Sequence, residues 1–161
     1  MSRYYEIRKA VSALISDRDF YWEQLYSVYD QFMPQYCHYL GINGEVLADS
    51  EGNAYPVLQT GTFDENKKQV VPQTPFALKK DRKKLCFDVL INLCDNKSLN
   101  LESRQLINIK FYKAEDDFIF EVVGSDVSVV CKEASFKVDF TPLFDTLQAM
   151  LLKRLDFKKM Q

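Results

Sequence analysis

Between residues 83 and 140 apolar and polar positions alternate with a period of two. Leu85, Phe87, Val89, Ile91 and Leu93 fall on one face, and Lys84, Cys86, Asp88, Asn92 and Cys94 on the other, with Leu90 as the exception. Half-buried strands read this way. Ile107, Ile109 and Phe111 start a second strand, and a Glu115-Asp116-Asp117 turn leads to Phe118, Phe120 and Val122. After a Gly124-Ser125-Asp126 turn come Val127, Val129 and Cys131, and the last inward row is Phe136, Val138 and Phe140. Short links between sequential strands favour an up-and-down antiparallel meander. Thr141 and Pro142 then supply an N-cap hydroxyl and a proline at the first helical position. Leu143, Leu147, Met150, Leu151 and Leu155 form the helix face expected to lie on the sheet, with Lys153, Arg154, Lys158 and Lys159 complementing the dipole at its end.

Upstream the period changes to that of a helix. Tyr4, Ile7, Val11 and Leu14 recur at spacings of three and four and predict a first helix over residues 2–15. Ser16 and Asp19 match a capping box that would restart the chain as a second helix over residues 17–33. That second helix carries two apolar rows. Tyr21, Leu25, Val28 and Phe32 suffice for a core contact, whereas Trp22, Tyr26, Tyr29 and Met33 form a further aromatic row. Pro34 should end it.

The stretch 43–76 is less regular. Residues 45–58 read as two strands about a turn at Ser50-Glu51-Gly52-Asn53, and Pro56 confines the second strand to an edge or an end. Residues 60–63 and 69–71 can pair, and residues 95–103 form a polar connection. The expected fold is therefore α+β over residues 1–161 as a single domain: two N-terminal helices, an irregular hairpin region, an antiparallel meander of about five strands, and a C-terminal helix packed on the sheet.

Composition narrows the function classes. The net charge of −2 gives no bulk attraction for nucleic acid. Five glycines, none in a phosphate-loop spacing, exclude the common nucleotide-binding loops. The opening segment, interrupted by Arg8 and Lys9, does not read as a secretory signal, and no apolar run reaches the length of a membrane span. Cytoplasmic residence and no membrane contact are the resulting expectations. The four cysteines contain no CxxC pair and are expected as reduced structural thiols.

Candidate catalytic groups are sparse. Cys37 and His38 are adjacent, so they diverge on either a helix or a strand and do not form a nucleophile–base pair. Cys86 and Cys94, about 26 Å apart along one strand, do not share a metal. Glu115, Asp116 and Asp117 read as a solvated turn. No catalytic residue, metal ligand or cofactor site is assigned, and the balance leans away from an enzyme. If there is one, its dispersed residues and pocket belong in the 43–76 region, where loops concentrate.

Two surfaces remain for binding. The aromatic row Trp22, Tyr26, Tyr29 and Met33 has the residue types favoured at interface centres. The run Lys79, Lys80, Arg82, Lys83 and Lys84, broken only by Asp81, could contact an anionic partner such as a phosphate backbone. The general form resembles small acidic cytosolic proteins such as immunity proteins of bacterial toxin systems and type III secretion chaperones. The chaperone form would want a helix where only the short 95–103 connection is present. The leading expectation is a non-enzymatic protein-binding module, of immunity-protein, chaperone or inhibitor type, whose partner is another protein or a second copy. A nucleic-acid-associated accessory protein using residues 79–84 is the alternative.

Overall fold

The fold is described from a computed structural model covering residues 2–159. It is α+β, with antiparallel strand pairs throughout the named sheets. A single helix, α1 (Arg3–Leu40), replaces the expected N-terminal pair. The capping-box residues Ser16 and Asp19 lie inside it, because both are exposed and nothing nearby draws the backbone out of the helix. Pro34 also lies inside. Its ring removes one bond to the preceding turn, but it sits on the exposed side, where water can satisfy the freed carbonyl. The helix begins at Ser2, whose hydroxyl accepts from the Tyr5 N–H at 3.1 Å. It stops at Gly41, which adopts the left-handed conformation (φ 71°). There the N–H groups of Gly41 and Ile42 bond back to the carbonyls of His38 and Cys37, the Schellman arrangement.

The strands that follow are β1 (Val46–Ala48), β2 (Ala54–Pro56), β3 (Leu58–Asp64), β4 (Gln69–Val71), β5 (Lys80–Asp81), β6 (Lys84–Leu93), β7 (Ser103–Ala114), β8 (Asp117–Val122), β9 (Ser128–Ala134) and β10 (Lys137–Val138). Helix α2 (Thr141–Arg154) closes the order. The five-strand meander is present as β6 to β10, but it is part of a larger sheet ordered β10-β9-β8-β7-β6-β3-β4, with β5 also pairing β6, eight strands in all. The irregular region thus contributes β3 and β4 to the main sheet, and β1 and β2 form a separate hairpin. That hairpin is tied down by the 95–103 connection, through bonds from the Ala48 N–H to Leu99 and from the Leu101 N–H to Ala48.

Gly61 explains how β3 serves two neighbours. Leu58 to Gly61 pair with β6, and Thr62 to Asp64 pair with β4. At the changeover Gly61 has φ 150°, and a Cβ there would lie 2.0 Å from the Val71 carbonyl oxygen. As β3 leaves β6, the Asp88 carboxylate accepts the Phe63 N–H at 2.7 Å. A second Asp88 oxygen takes the Asn108 amide at 2.6 Å, so the peeling strand is held from the sheet's outer face.

Both helices pack on the opposite face. The inward row of β6 (Leu85, Phe87, Val89, Ile91) joins Ile107, Ile109, Phe111, Phe118 and Phe120 in one core with Leu25, Val28, Phe32 and Tyr36 of α1 and Leu143, Phe144 and Leu147 of α2. Phe32 is its hub, edge-on to Phe87 at 5.0 Å and to Phe140 at 5.6 Å and touching Phe144 at 5.5 Å. Aromatic rings favour such tilted contacts.

Three local expectations are corrected. Phe136 does not face inward. It is 91% exposed, because Ser135 and Phe136 make the positive-φ turn between β9 and β10. Thr141 is not the cap of α2. It lies within the helix, and the Asp139 carboxylate accepts its N–H at 3.0 Å. Leu155 ends the helix and is exposed, while Phe144 takes the place in the core.

Candidate interaction surface on helix α1

The apolar row of α1 keeps one phase along its length. Positions 4, 7, 11, 14, 18, 21, 25, 28 and 32 follow the alternating three–four spacing of a heptad, broken in type only by Arg18. From Tyr21 onward this row enters the core. Before it, every residue from Arg3 to Phe20 is exposed. Tyr4 is 70% exposed, Ile7 60% and Leu14 62%, and Val11 is similarly bare. The first part of the helix is therefore an arm about 27 Å long at 1.5 Å per residue. It carries an apolar stripe that no described residue covers. Surface apolar residues are ordinary when scattered, but a contiguous row of them marks an interaction site.

The arm leaves the body at a defined junction. The Tyr21 hydroxyl donates to the Lys83 carbonyl and accepts from the Lys113 N–H at 3.4 Å. Burial holds the Tyr21 phenol above its ordinary pKa, so it stays a donor. Trp22 packs edge-on to Tyr21 at 5.3 Å and stacks with Tyr26 at 6.4 Å. The Lys80 ammonium stands over both rings, 5.2 Å from Trp22 and 5.3 Å from Tyr26. A cleft of about 480 Å³ opens here, between Leu14, Tyr21 and Trp22 on the helix and Arg82 and Lys83 on the β5–β6 turn.

The aromatic row is thus divided. Trp22 and Tyr26 are half-buried at the junction. Tyr29 is 8% exposed, set against Phe87 at 5.1 Å, and belongs to the core, with burial raising its phenol pKa. Met33 is exposed on the rim of a second cleft, of about 650 Å³, between α1 and the β3–β4 side of the sheet. Asp30, Cys37, Pro56, Thr60 and Pro72 also line that cleft. This places the irregular 43–76 stretch and the aromatic row on one depression. Its polar groups are few. Burial, and secondarily Glu45, push the Cys37 thiol upward, so it is held protonated rather than as a nucleophilic thiolate.

Cys37 and His38 diverge as expected. His38 lines a different cleft, with Tyr39, Lys137 and Thr141, on the α2 side. The Cys131 thiol is buried and pushed up to about 11. Glu115 and Asp116 form the β7–β8 turn. Among the described residues no three His, Cys, Asp or Glu side chains are grouped to hold a metal ion. Asp49 spends its carboxylate on its own hairpin, accepting from the Glu51, Asn53 and Tyr55 groups at 2.8–3.0 Å.

The basic run folds as the tight β5–β6 hairpin, with Arg82 at positive φ in its turn. Its charges are partly engaged. Lys84 pairs with Glu121 across the sheet, Lys80 covers the aromatic pair, and intervening Asp81 binds Lys110 at 2.9 Å. Lys79, Arg82 and Lys83 are exposed. Arg82 and Lys83 lie beside Trp22, so the two surfaces singled out in the sequence meet at the base of the arm.

Sequence reasoning placed Tyr4, Ile7, Val11 and Leu14 on one apolar face of a separate first helix and did not single that face out as a surface. The signal for the arm was the unbroken heptad phase across residues 16–19, which two separately capped helices would not keep. No helix among the described residues is long and apolar enough to cross a membrane. No family model matches the chain, and no curated protein and no solved structure matches it.

Proposed function

We propose that this protein is a non-enzymatic interaction module that binds another polypeptide chain through helix α1. The observation that carries the reading is the arm: an amphipathic helix, anchored at one end by a packed core, whose apolar stripe continues in phase beyond the body with none of the described residues over it. Helix recognition uses such rows of residues at three- and four-residue spacing. The half-buried Trp22 and Tyr26 at its base have the character of anchor residues. An immunity-protein, chaperone or inhibitor role is compatible with this element.

The basic hairpin supports a phosphate-backbone surface less well, since Lys80 and Lys84 are committed within the fold. The test is co-purification from the native host under matched conditions with the unaltered chain and a Val11→Lys/Leu14→Lys variant. A stoichiometric polypeptide, either a host protein or a second copy, retained by the first and lost by the second is the expected result. Retention by both, or by neither, overturns the reading.

A further inference from the structure

The outer face of the sheet, away from both helices, carries a cleft of its own. Leu90 interrupts the polar row of β6 and is only 3% exposed, although it stands on the face opposite the core. Its register partners are Gln59 of β3 and Leu106 of β7. Because β3 leaves β6 at Gly61, the β3–β4 hairpin can bring Phe63, Glu65 and Lys68 beside Leu90, Leu106 and Arg104. The six residues line a cleft of about 410 Å³, which is within the size range of small-molecule sites. Phe63, Leu90 and Leu106 make its apolar surface.

Arg104 supplies a fixed charge. It is half-buried and lies directly opposite Asn92. Its Nε donates to the Asn92 side-chain oxygen at 2.9 Å, and its guanidinium stands over the Tyr55 ring at 5.0 Å. Asn92 is itself fully buried and donates to the Pro56 carbonyl at 2.7 Å, so the support is rigid. These contacts orient the cation without neutralising it. Among the described residues no carboxylate lies within ion-pair distance of Arg104. Its Nη2 is buried and has no hydrogen-bond partner there, which leaves Nη1 as the nitrogen that solvent reaches. A charge drawn out of water is costly unless it is paired.

We infer that this cleft binds a small amphiphilic monocarboxylate, an acid with one negative charge and a short hydrocarbon body. Its carboxylate accepts from Arg104 Nη1, and its hydrocarbon lies on Phe63, Leu90 and Leu106. Charge-assisted bonds of this kind are the strong ones, and Arg is suited to carboxylates. The exposed Lys68 and Glu65 on the hairpin set the charge. Lys68 adds attraction and Glu65 opposes it, so the cleft offers a single net positive charge. A multiply charged anion such as phosphate would meet Glu65 and would leave the apolar surface without a partner. The site stands apart from the arm and does not rest on the interaction reading.

The test titrates the purified full chain with hexanoate and follows its nuclear magnetic resonances. Hexanoate should shift the Arg104 Nε–H and the Leu90 and Leu106 amides saturably, with a dissociation constant on the order of 1 mM, as befits so few ligand atoms. Hexan-1-ol, which keeps the hydrocarbon and lacks the charge, should bind at least about tenfold more weakly. Arg104→Gln should weaken hexanoate by about tenfold or more. The exposed pair should act in opposite senses, Lys68→Asn weakening and Glu65→Gln tightening hexanoate by about threefold each, with no change in unfolding midpoint. A merely structural role for these residues predicts no such split, and it decides the matter even where Arg104→Gln does not fold. Absence of saturable shifts by about 20 mM, or shifts centred on another cleft, overturns the inference. So does equal binding of hexan-1-ol, a folded Arg104→Gln of unchanged affinity, or the same response to Lys68→Asn and Glu65→Gln.

Discussion

The two halves of α1 are written in the same residue pattern and meet opposite fates. Leu25, Val28 and Phe32 continue the row of Tyr4, Ile7, Val11 and Leu14 without a change of phase. The later half is buried against the sheet and α2, and the earlier half is bare. Amphipathic periodicity therefore states that a face wants cover, and it is silent about what provides it. In the buried half the cover comes from residues more than fifty positions away in the chain, such as Phe87 and Phe140. For the arm the chain supplies none among its described residues.

This contrast can be broken or sharpened by substitution. The largest effect belongs to the hub. Phe32→Ala should cost about 3–5 kcal/mol of folding stability, because a buried ring with four aromatic neighbours leaves a cavity that neighbouring side chains cannot fill. Denaturant titration reads it, and a loss below 1 kcal/mol would mean that α1 does not dock as described. Next is Gln31, which joins the docked half to the sheet edge. Its amide accepts the Val138 N–H at 2.8 Å and donates to the Phe136 carbonyl at 3.3 Å. Gln31→Ala should cost about 1–3 kcal/mol by stranding a partly buried donor. Hydrogen exchange at Val138 should quicken, and an unchanged rate there would break the assignment.

Two caps give a finer comparison. Asp139, one residue before the N-cap position of Phe140, accepts the first N–H of a docked helix, and Ser2 caps the free arm. Asp139→Ala should cost about 1 kcal/mol of global stability, and Thr141→Ala less, since its hydroxyl is not the cap. The Asp139 carboxyl is held below its ordinary pKa by its bonds to Thr141. Its contribution is therefore fully present above the unfolded carboxylate pKa of about 4 and is lost as pH falls through the lower folded value. The stability difference between the unaltered chain and Asp139→Ala should close in that acid range, and a difference that persists below it would exclude the charge as its source.

The smallest effects belong to the arm. Ser2→Ala should lower helicity by circular dichroism while leaving the unfolding midpoint in place. Leu14→Ala should change monomer stability by less than about 0.5 kcal/mol, as exposed substitutions do. A loss of 2 kcal/mol or more at Leu14, measured where the chain is monomeric, would show that the arm is covered after all.

Much of the sheet was legible because one of its faces is buried. When every second residue from Leu85 to Ile91 enters the core, the side-chain period fixes strand and register together. The boundary errors have local causes. Phe136 fits the inward alternation by residue type, but the two-residue link between β9 and β10 needs its backbone in the turn. Ser16 and Asp19 imitate a helix start because capping chemistry is short and polar, and such residues also occur on any exposed helical face. The extension of the sheet by β3 and β4 depends on Gly61, whose lack of a side chain matters only through its close approach to Val71, a contact that no local pattern reveals. Of the candidate surface, the aromatic row was visible, but its division between core, junction and cleft was not. Tyr29 and Met33 share a helix side and line one cleft, but Tyr29 is buried against Phe87 and Met33 is left exposed on the rim.

The Gln31 clamp sets a schedule for biogenesis. Its two bonds join residues 105 and 107 positions apart. During synthesis the strand that receives Gln31 is made 107 residues after it. Local hairpins and the Phe32–Phe87 contact can form in the interval, but the Gln31 clamp waits for β10, since a long loop must be closed before that contact rewards it. Until Phe140 and Phe144 follow, the later half of the row lacks part of its cover and is presented to the surroundings with the arm. The nascent chain is thus adhesive until β10 and α2 have been made, and translation speed through residues 40–138 becomes a determinant of how much protein reaches the folded state.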